Sequence, residues 1–446
     1  DGIRDDLVTG VQTCALPICY DALLSRFGTV TFKQAFERAA RLADEGWGIA
    51  ERRHNDLRSA VNGLKNDPDS KQVFLDGDQA WPLYSVIRNP NLSKALRLIQ
   101  AKGKDGFYKG EAARLTAEFM ANNGGIITLE DLEKYQAFER EPIRGTYRGY
   151  EIVSMPPPSS GGILLLQMLN VLKQVDLRQY PRGSAEVFHY MVEAKRLAFE
   201  DVARYYADPE FAEAPLAGLL SEEYARERFA RIDPKRATPA FGPGEPKLEG
   251  EGDTTYLTVA DSSGMMVSLI QSNYRGMGTG LVPDGLGFML QNRGELFSLD
   301  PAHPNAYAPG KRPFHTIIPA FVMKDGEPFL SFGLMGGGMQ PQGHVQVLIN
   351  MVDFEMNVQE AGDAARFLHD GGAGPEGGDP THYGTLYLEP GVPMGTVEAL
   401  KKMGHNVEVN ATGVMFGGYQ AIQRDEKTGV YAGATEMRKD GTVAGW

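Results

Sequence analysis

From Asp21 to about Asp208, apolar residues recur three and four positions apart, the spacing of helices with one buried face. FKQAFERAARLADEG (32–46) predicts one such helix. GFYKGEAARLTAEFMANNGG (106–125) predicts a second, stopped by a glycine pair, and PRGSAEVFHYMVEAKRLAFEDVARYYAD (181–208) a third, with Ser184 as its N-cap. GGILLLQMLNVL (161–172) is almost wholly apolar; it is too short to span a bilayer and reads as a buried helix. Between Asp208 and Asp253 the periodicity stops. Pro209, Pro215, Pro234, Pro239, Pro243 and Pro246 predict an exposed, flexible connection ending in GEPKLEGEGD. Beyond it the period drops to two. TTYLTVA and MMVSLIQ around a DSSG turn (254–271), TIIPAFVM and PFLSFGL around KDGE (316–334), and YQAIQ and VYAGA around RDEKTG (419–434) predict three hairpins. Helical patterns near 343–366 and 395–403 lie between the last two. Helices outside and antiparallel hairpins inside predict a layered α/β sandwich.

Composition narrows the partners. The chain has 446 residues, 42% of them hydrophobic, enough for a sizeable core. Its net charge of −13 would repel nucleic acid and anionic membrane surfaces, so neither is expected as a partner. No segment predicts a membrane span. The two cysteines, Cys14 and Cys19, lie in the first twenty residues. There, Val8 to Ile18 back-translates to a string that looks like a sequencing-adapter oligonucleotide read in frame. Residues 1–19 are therefore set aside as foreign, and the compartment is left unassigned.

Common catalytic motifs are absent: no GxxxxGK[ST], HExxH, paired CxxC or GxSxG. GMGTG (276–280) lacks the strand-then-helix setting of a dinucleotide site. The eight histidines are scattered, with no pair at zinc-ligand spacing on a helix, and read as structural or exposed. Ser160 in MPPPSSGG reads as a helix cap rather than a nucleophile. What remains is GEGD followed by TTYLTVAD, a threonine opening a strand after an acidic loop. Alone, that is most simply a half-buried β-branched pair. Cleavage before Thr254 would give it a free α-amine with a pKa near 8, a base on the same residue as the hydroxyl.

TTYLTVAD resembles the TTHYSVVD-type processing site of the γ-glutamyltransferases. GKRPFHTIIP (310–319), GLMGGGMQPQGHVQVLINMVDF (333–354) and RKDGTVAGW (438–446) resemble, in order, that family's GKRP segment, glycine oxyanion loop with its following helix, and C-terminal ending. The resemblance covers about 425 residues and is strongest to the bacterial acylase-like branch. It implies a four-layer αββα N-terminal-nucleophile sandwich, with residues 20–253 as a large-subunit-like part whose N-terminal portion is missing and 254–446 as a small-subunit-like part. It implies self-cleavage between Asp253 and Thr254, Thr254 as nucleophile, and Ser272 as a hydroxyl that hydrogen-bonds it. Gly336 and Gly337 become oxyanion donors. The expected assembly is a heterodimer of the two fragments, or a dimer of these, acting on a small-molecule amide without metal or organic cofactor.

The departures concern the substrate. The family's acidic residue for a glutamate α-amine aligns with Leu296, and a neighbouring glutamine with Arg293. The serine pair for the α-carboxylate aligns with His315 and Thr316. Leucine cannot neutralise an ammonium, whereas an arginine favours a second anion. The expected substrate is a γ-glutamyl or related acyl amide, with a glutaryl-type (β-lactam side-chain) acylase and a poly-γ-glutamate processor as alternatives. An inactive homologue that serves as a binding or structural protein is the alternative of another class.

Overall fold

The computed structural model describes residues 16–239, 252–372, 383–409 and 413–445. It divides into two compact units. Among the described residues, one comprises those up to 139 with 272–295, the other those of 140–271 with 296–445. Among the described residues no helix is long and apolar enough to cross a membrane.

The first unit is mainly helical. Phe32–Glu45 forms the first expected helix, opened by a capping box in which Thr31 and Gln34 satisfy each other's backbone N–H groups. The expected 106–125 helix is broken: Asp105–Tyr108 and Gly110–Asn122 are separate, because Gly110 turns the chain at φ 69°. Residues 272–295 thread into this unit. Val282 and Met289 complete a core with Ile49, Leu57, Leu64, Leu75 and Ile87. GMGTG belongs to this packing: Gly278 has φ 65°, and a Cβ there would meet the Leu290 carbonyl at 2.2 Å. It is a tight turn, as its sequence setting implied.

The second unit is an α/β sandwich. Its main elements are β1 (Ile143–Tyr147), β2 (Tyr150–Ser154), α1 (Gly161–Leu172), α2 (Ala185–Tyr205), β3 (Gly252–Ala260), β4 (Met266–Arg275, whose last residues enter the first unit), β5 (Ala320–Lys324), β6 (Glu327–Met335), α3 (Met339–Val352), β7 (Gly418–Arg424) and β8 (Tyr431–Thr435). A six-stranded antiparallel sheet runs β8–β7–β6–β5–β2–β1. All three expected hairpins form, but the strand expected from residue 316 begins only at Ala320. The second and third hairpins join that sheet, whereas β3 and β4 pair as a sheet of their own. Strand β2 pairs with β5 from Glu151↔Met323 to Ser154↔Ala320, so the sheet spans residues before and after Thr254.

Successive residues of β6 face opposite layers. A Cβ on Gly343 of α3 would come within 2.5 Å of Leu334, whereas one on Gly333 would come within 2.3 Å of the Tyr256 ring on β3. Glycine at both positions therefore lets a helix close on one face of the sheet and β3 on the other. Every residue of α1 is buried, as its composition predicts, and α2 starts at Ser184, whose hydroxyl accepts from the Val187 N–H. The proline-rich connection is less open than its sequence suggests: Leu216–Leu219 and Glu222–Phe229 are helical, the latter capped by Ser221. The acidic stretch 240–251 lies outside the described residues.

Candidate active site

Strand β3 shows the alternation its sequence predicts. Thr254 and Tyr256 are buried, Thr254 to 3% exposure, whereas Leu257 and Val259 are exposed. The inward residues of β3 meet β6 in an ordered register. Thr258 Oγ1 lies 2.6 Å from Ser331 Oγ, and Tyr256 packs on Gly333. Two residues back along β3 correspond to two forward along β6. Continued by one step of roughly 6.6 Å on each strand, the same progression runs from Tyr256 to Thr254 on β3 and from Gly333 to Met335, where β6 ends.

Directly after Met335 come Gly336 at φ 128° and Gly337 at φ 54°. The first value is closed to an L side chain in ordinary backbone, and a Cβ there would meet Gly417 Cα at 3.1 Å. The Gly336 carbonyl accepts from Met339 N–H (2.9 Å) and the Gly337 carbonyl from Gln340 N–H (3.1 Å). Both carbonyls therefore point into α3. Because a trans peptide sets N–H opposite C=O, the N–H of Gly337 points out of the helix end. The 14-residue α3 adds the positive end of its dipole there. The turn is suited to an oxyanion.

His315 and Thr316 are buried nearby. Ser159 and His315 form a parallel bridge, Ser160 N–H donates to the His315 carbonyl at 3.0 Å, and Ser159 Oγ donates to the Ile317 carbonyl at 2.8 Å. Ile318 N–H donates to Gln340 Oε1 at 3.0 Å, tying this segment to the first turn of α3. The MPPPSSGG loop therefore supports the candidate site, a part the sequence reading gave it only as a cap. Ser160 occupies the N-cap position of α1, but its hydroxyl makes no capping bond. Gln340 was also missed; its only sequence signal is a polar residue inside an apolar helix.

The C-terminal ending is anchored beside the same end of β6. Gly418 pairs with Met335, and a Cβ on Gly418 would meet Lys439 at 2.5 Å. Arg438 donates to both carboxylate oxygens of Glu389 (2.5 and 2.6 Å) and to Glu436 (2.7 Å).

Ser272 and Arg293 belong to the first unit. Ser272 Oγ accepts from Tyr274 N–H at 2.9 Å. Tyr274 sits at φ 79°, an unusual conformation for a bulky residue. Arg293 is 1% exposed, with its guanidinium carbon 5.3 Å from the Tyr274 ring centre. Its Nε and Nη1 have no hydrogen-bond partner among the described residues, and neither does Nε2 of buried Gln291. Burial pushes the Arg293 pKa down to about 10, so the group is still charged at neutral pH. Leu296 is buried in the second unit, its carbonyl held by Asn305 at 2.6 Å.

The gamma-glutamyltranspeptidase family model matches residues 4–446. The glutathione hydrolase proenzyme of Escherichia coli (strain K12) is 35% identical over 363 residues, covering 78% of this chain and 63% of its own length. The Acylase ACY 1 proenzyme of Pseudomonas sp. (strain SE83) is 34% identical over 443 residues, 98% of this chain and 75% of its own length. A solved structure, cephalosporin acylase from Bacillus halodurans, superposes with a TM-score of 0.87 at 37% identity, over 96% of this chain and 77% of that one. The chain thus spans between 63% and 77% of these relatives.

Proposed function

The chain belongs to the gamma-glutamyltranspeptidase family, and on that premise we propose that it is the precursor of a self-processing N-terminal-threonine amidohydrolase or acyltransferase. Thr254 Oγ attacks the Asp253 carbonyl carbon. The acyl group shifts from nitrogen to oxygen, giving an ester and a free Thr254 amine. Water hydrolyses the ester. The products are a large fragment ending at Asp253 and a small one of 193 residues, 254–446, which stay together as a heterodimer.

In the mature site the Thr254 amine takes the hydroxyl proton as Oγ attacks a substrate amide carbonyl. The N–H groups of Gly336 and Gly337 hold the oxyanion, one such donor being worth about 3 kcal/mol. The amine then protonates the leaving nitrogen, and water or an acceptor amine releases the acyl group. The observation that supports this reading is the pair of β3–β6 contacts, Thr258 with Ser331 and Tyr256 with Gly333, whose continuation along both strands runs from Thr254 toward the Gly336–Gly337 turn.

For the acyl group, we favour a chain ending in a carboxylate, of glutaryl type, over a γ-glutamyl group. Leu296 offers nothing to an ammonium, whereas buried Arg293 keeps two N–H-bearing nitrogens without partners among the described residues. His315 and Thr316 take the remaining polar contacts. Among the relatives, one is named an acylase and another a glutathione hydrolase, so the family's names cover both amide classes.

The experiment is expression of a parent of complete length beside Thr254→Ala, with intact-mass analysis. Wild type should give two fragments meeting between Asp253 and Thr254, and the alanine variant a single chain. A wild type that stays whole, or an alanine variant cut at the same bond, refutes the mechanism and leaves the inactive homologue.

A further inference from the structure

Outside the candidate active site, three buried donors converge in the second unit. His189 and Glu193 lie one turn apart on α2, and His405 follows the helix Met394–Lys402. One ligand-type atom from each lies within 4.8 Å of the other two. His189 Nδ1 and His405 Nε2 face each other at 2.8 Å. The outer nitrogens are both engaged: His189 Nε2–H donates to the Asp233 carbonyl at 2.8 Å, and His405 Nδ1 lies 2.9 Å from the Tyr383 hydroxyl.

That outer shell is informative. A carbonyl only accepts, so Nε2 of His189 carries the hydrogen and its Nδ1 presents a lone pair inward. Without a cation, the 2.8 Å contact is a hydrogen bond that His405 Nε2–H donates to that lone pair, with His405 Nδ1 accepting from the tyrosine hydroxyl. A bound cation would switch His405 to the other tautomer, its Nδ1–H donating to the tyrosine oxygen and its Nε2 presenting a second lone pair. Two inward lone pairs with each ring's other nitrogen fixed from behind is the arrangement of metal-ligating histidines. Glu193 supplies the anionic ligand. Its oxygens also accept from Arg196 (2.8 Å) and Thr238 N–H (3.1 Å), which orient the carboxylate and leave lone pairs for a cation. Two imidazoles and one carboxylate are a borderline set that suits zinc.

We propose that His189, Glu193 and His405 bind a divalent transition-metal ion, zinc by their chemistry, as a structural clamp between chain segments on either side of Thr254. His189 and Glu193 precede that residue and His405 follows it. In the processed protein of the preceding section the ion would hold two fragments; that role rests on the processing reading, but metal binding itself does not. The sequence could not pair these ligands, because His189 and His405 are 216 positions apart. Binding spreads the two nitrogens toward the roughly 3.3 Å edge of a tetrahedral site with zinc–nitrogen bonds of about 2.05 Å. Because all three ligands are buried, the ion enters as the chain folds.

The test is metal content of the full-length protein expressed with added zinc, and of the Thr254→Ala chain prepared alongside. About one equivalent of zinc per chain is expected in both. Cobalt in its place should give visible d–d absorption. Glu193→Gln and His405→Gln, checked for folding by circular dichroism, should lose metal affinity at least tenfold. Sub-stoichiometric metal in the wild type would leave a hydrogen-bonded histidine pair and overturn the proposal, as would undiminished metal in both variants. Metal in an uncleaved Thr254→Ala chain separates this outcome from any failure of processing.

Discussion

Gly333 and Tyr256 set the approach of the two sheets, since a methyl group at Gly333 would lie 2.3 Å from the ring. The glycine is required by contact rather than by backbone angle. Gly333→Ala should therefore overpack the layer, lowering stability by about 1–3 kcal/mol. It should also slow self-cleavage, because β3 carries Thr254. Chemical denaturation and the rate of fragment appearance test this together; unchanged values for both would mean that the layers do not meet this closely.

Gly336→Ala places a side chain at φ 128°, which ordinary L residues do not adopt. The turn must rearrange, and processing should slow by roughly 100- to 1,000-fold if an oxyanion donor is lost. Gly338, at φ −66°, accepts alanine without backbone strain and serves as the control. Equal rates for the two variants would remove the Gly336–Gly337 turn from the mechanism.

Arg293→Met should separate stability from selectivity. The wild-type guanidinium is buried with two nitrogens unpartnered among the described residues, a destabilising arrangement, so the variant should unfold no more easily than wild type. Turnover of amides whose acyl chain ends in a carboxylate should fall at least tenfold relative to an uncharged acyl chain of equal length. A fall in melting temperature with unchanged selectivity would instead make Arg293 structural.

His344 predicts an acid limb. It is buried on α3, its Nδ1–H donating to the Gln340 carbonyl at 2.6 Å and its ring centre 4.8 Å from that of Phe332. Burial, aided by the positive charge of Arg366, pushes its pKa down from 6.5 to about 4. The folded state therefore binds this proton less well than the unfolded state. Its stabilising contribution is complete above pH 6.5 and is lost as pH falls toward 4, amounting to about 2–4 kcal/mol. Denaturation midpoints between pH 7 and 4 should flatten in His344→Gln by one proton's worth. An unchanged slope would place the acid sensitivity elsewhere.

Local pattern determined much of this protein. The helix starts at Thr31 and Ser184, the buried apolar helix at 161–172, and the three hairpins follow from spacing and capping, which depend on neighbours in the chain. The ordered motifs around Thr254, Gly336 and Arg438 also identified the family. Only tertiary structure decided the rest. That Tyr256 meets Gly333, that Ser159 bridges His315, that Arg293 is buried without full pairing, and that His189 meets His405 are contacts between positions far apart in sequence. Periodicity tells which side of an element is apolar; it does not tell which distant element covers that side.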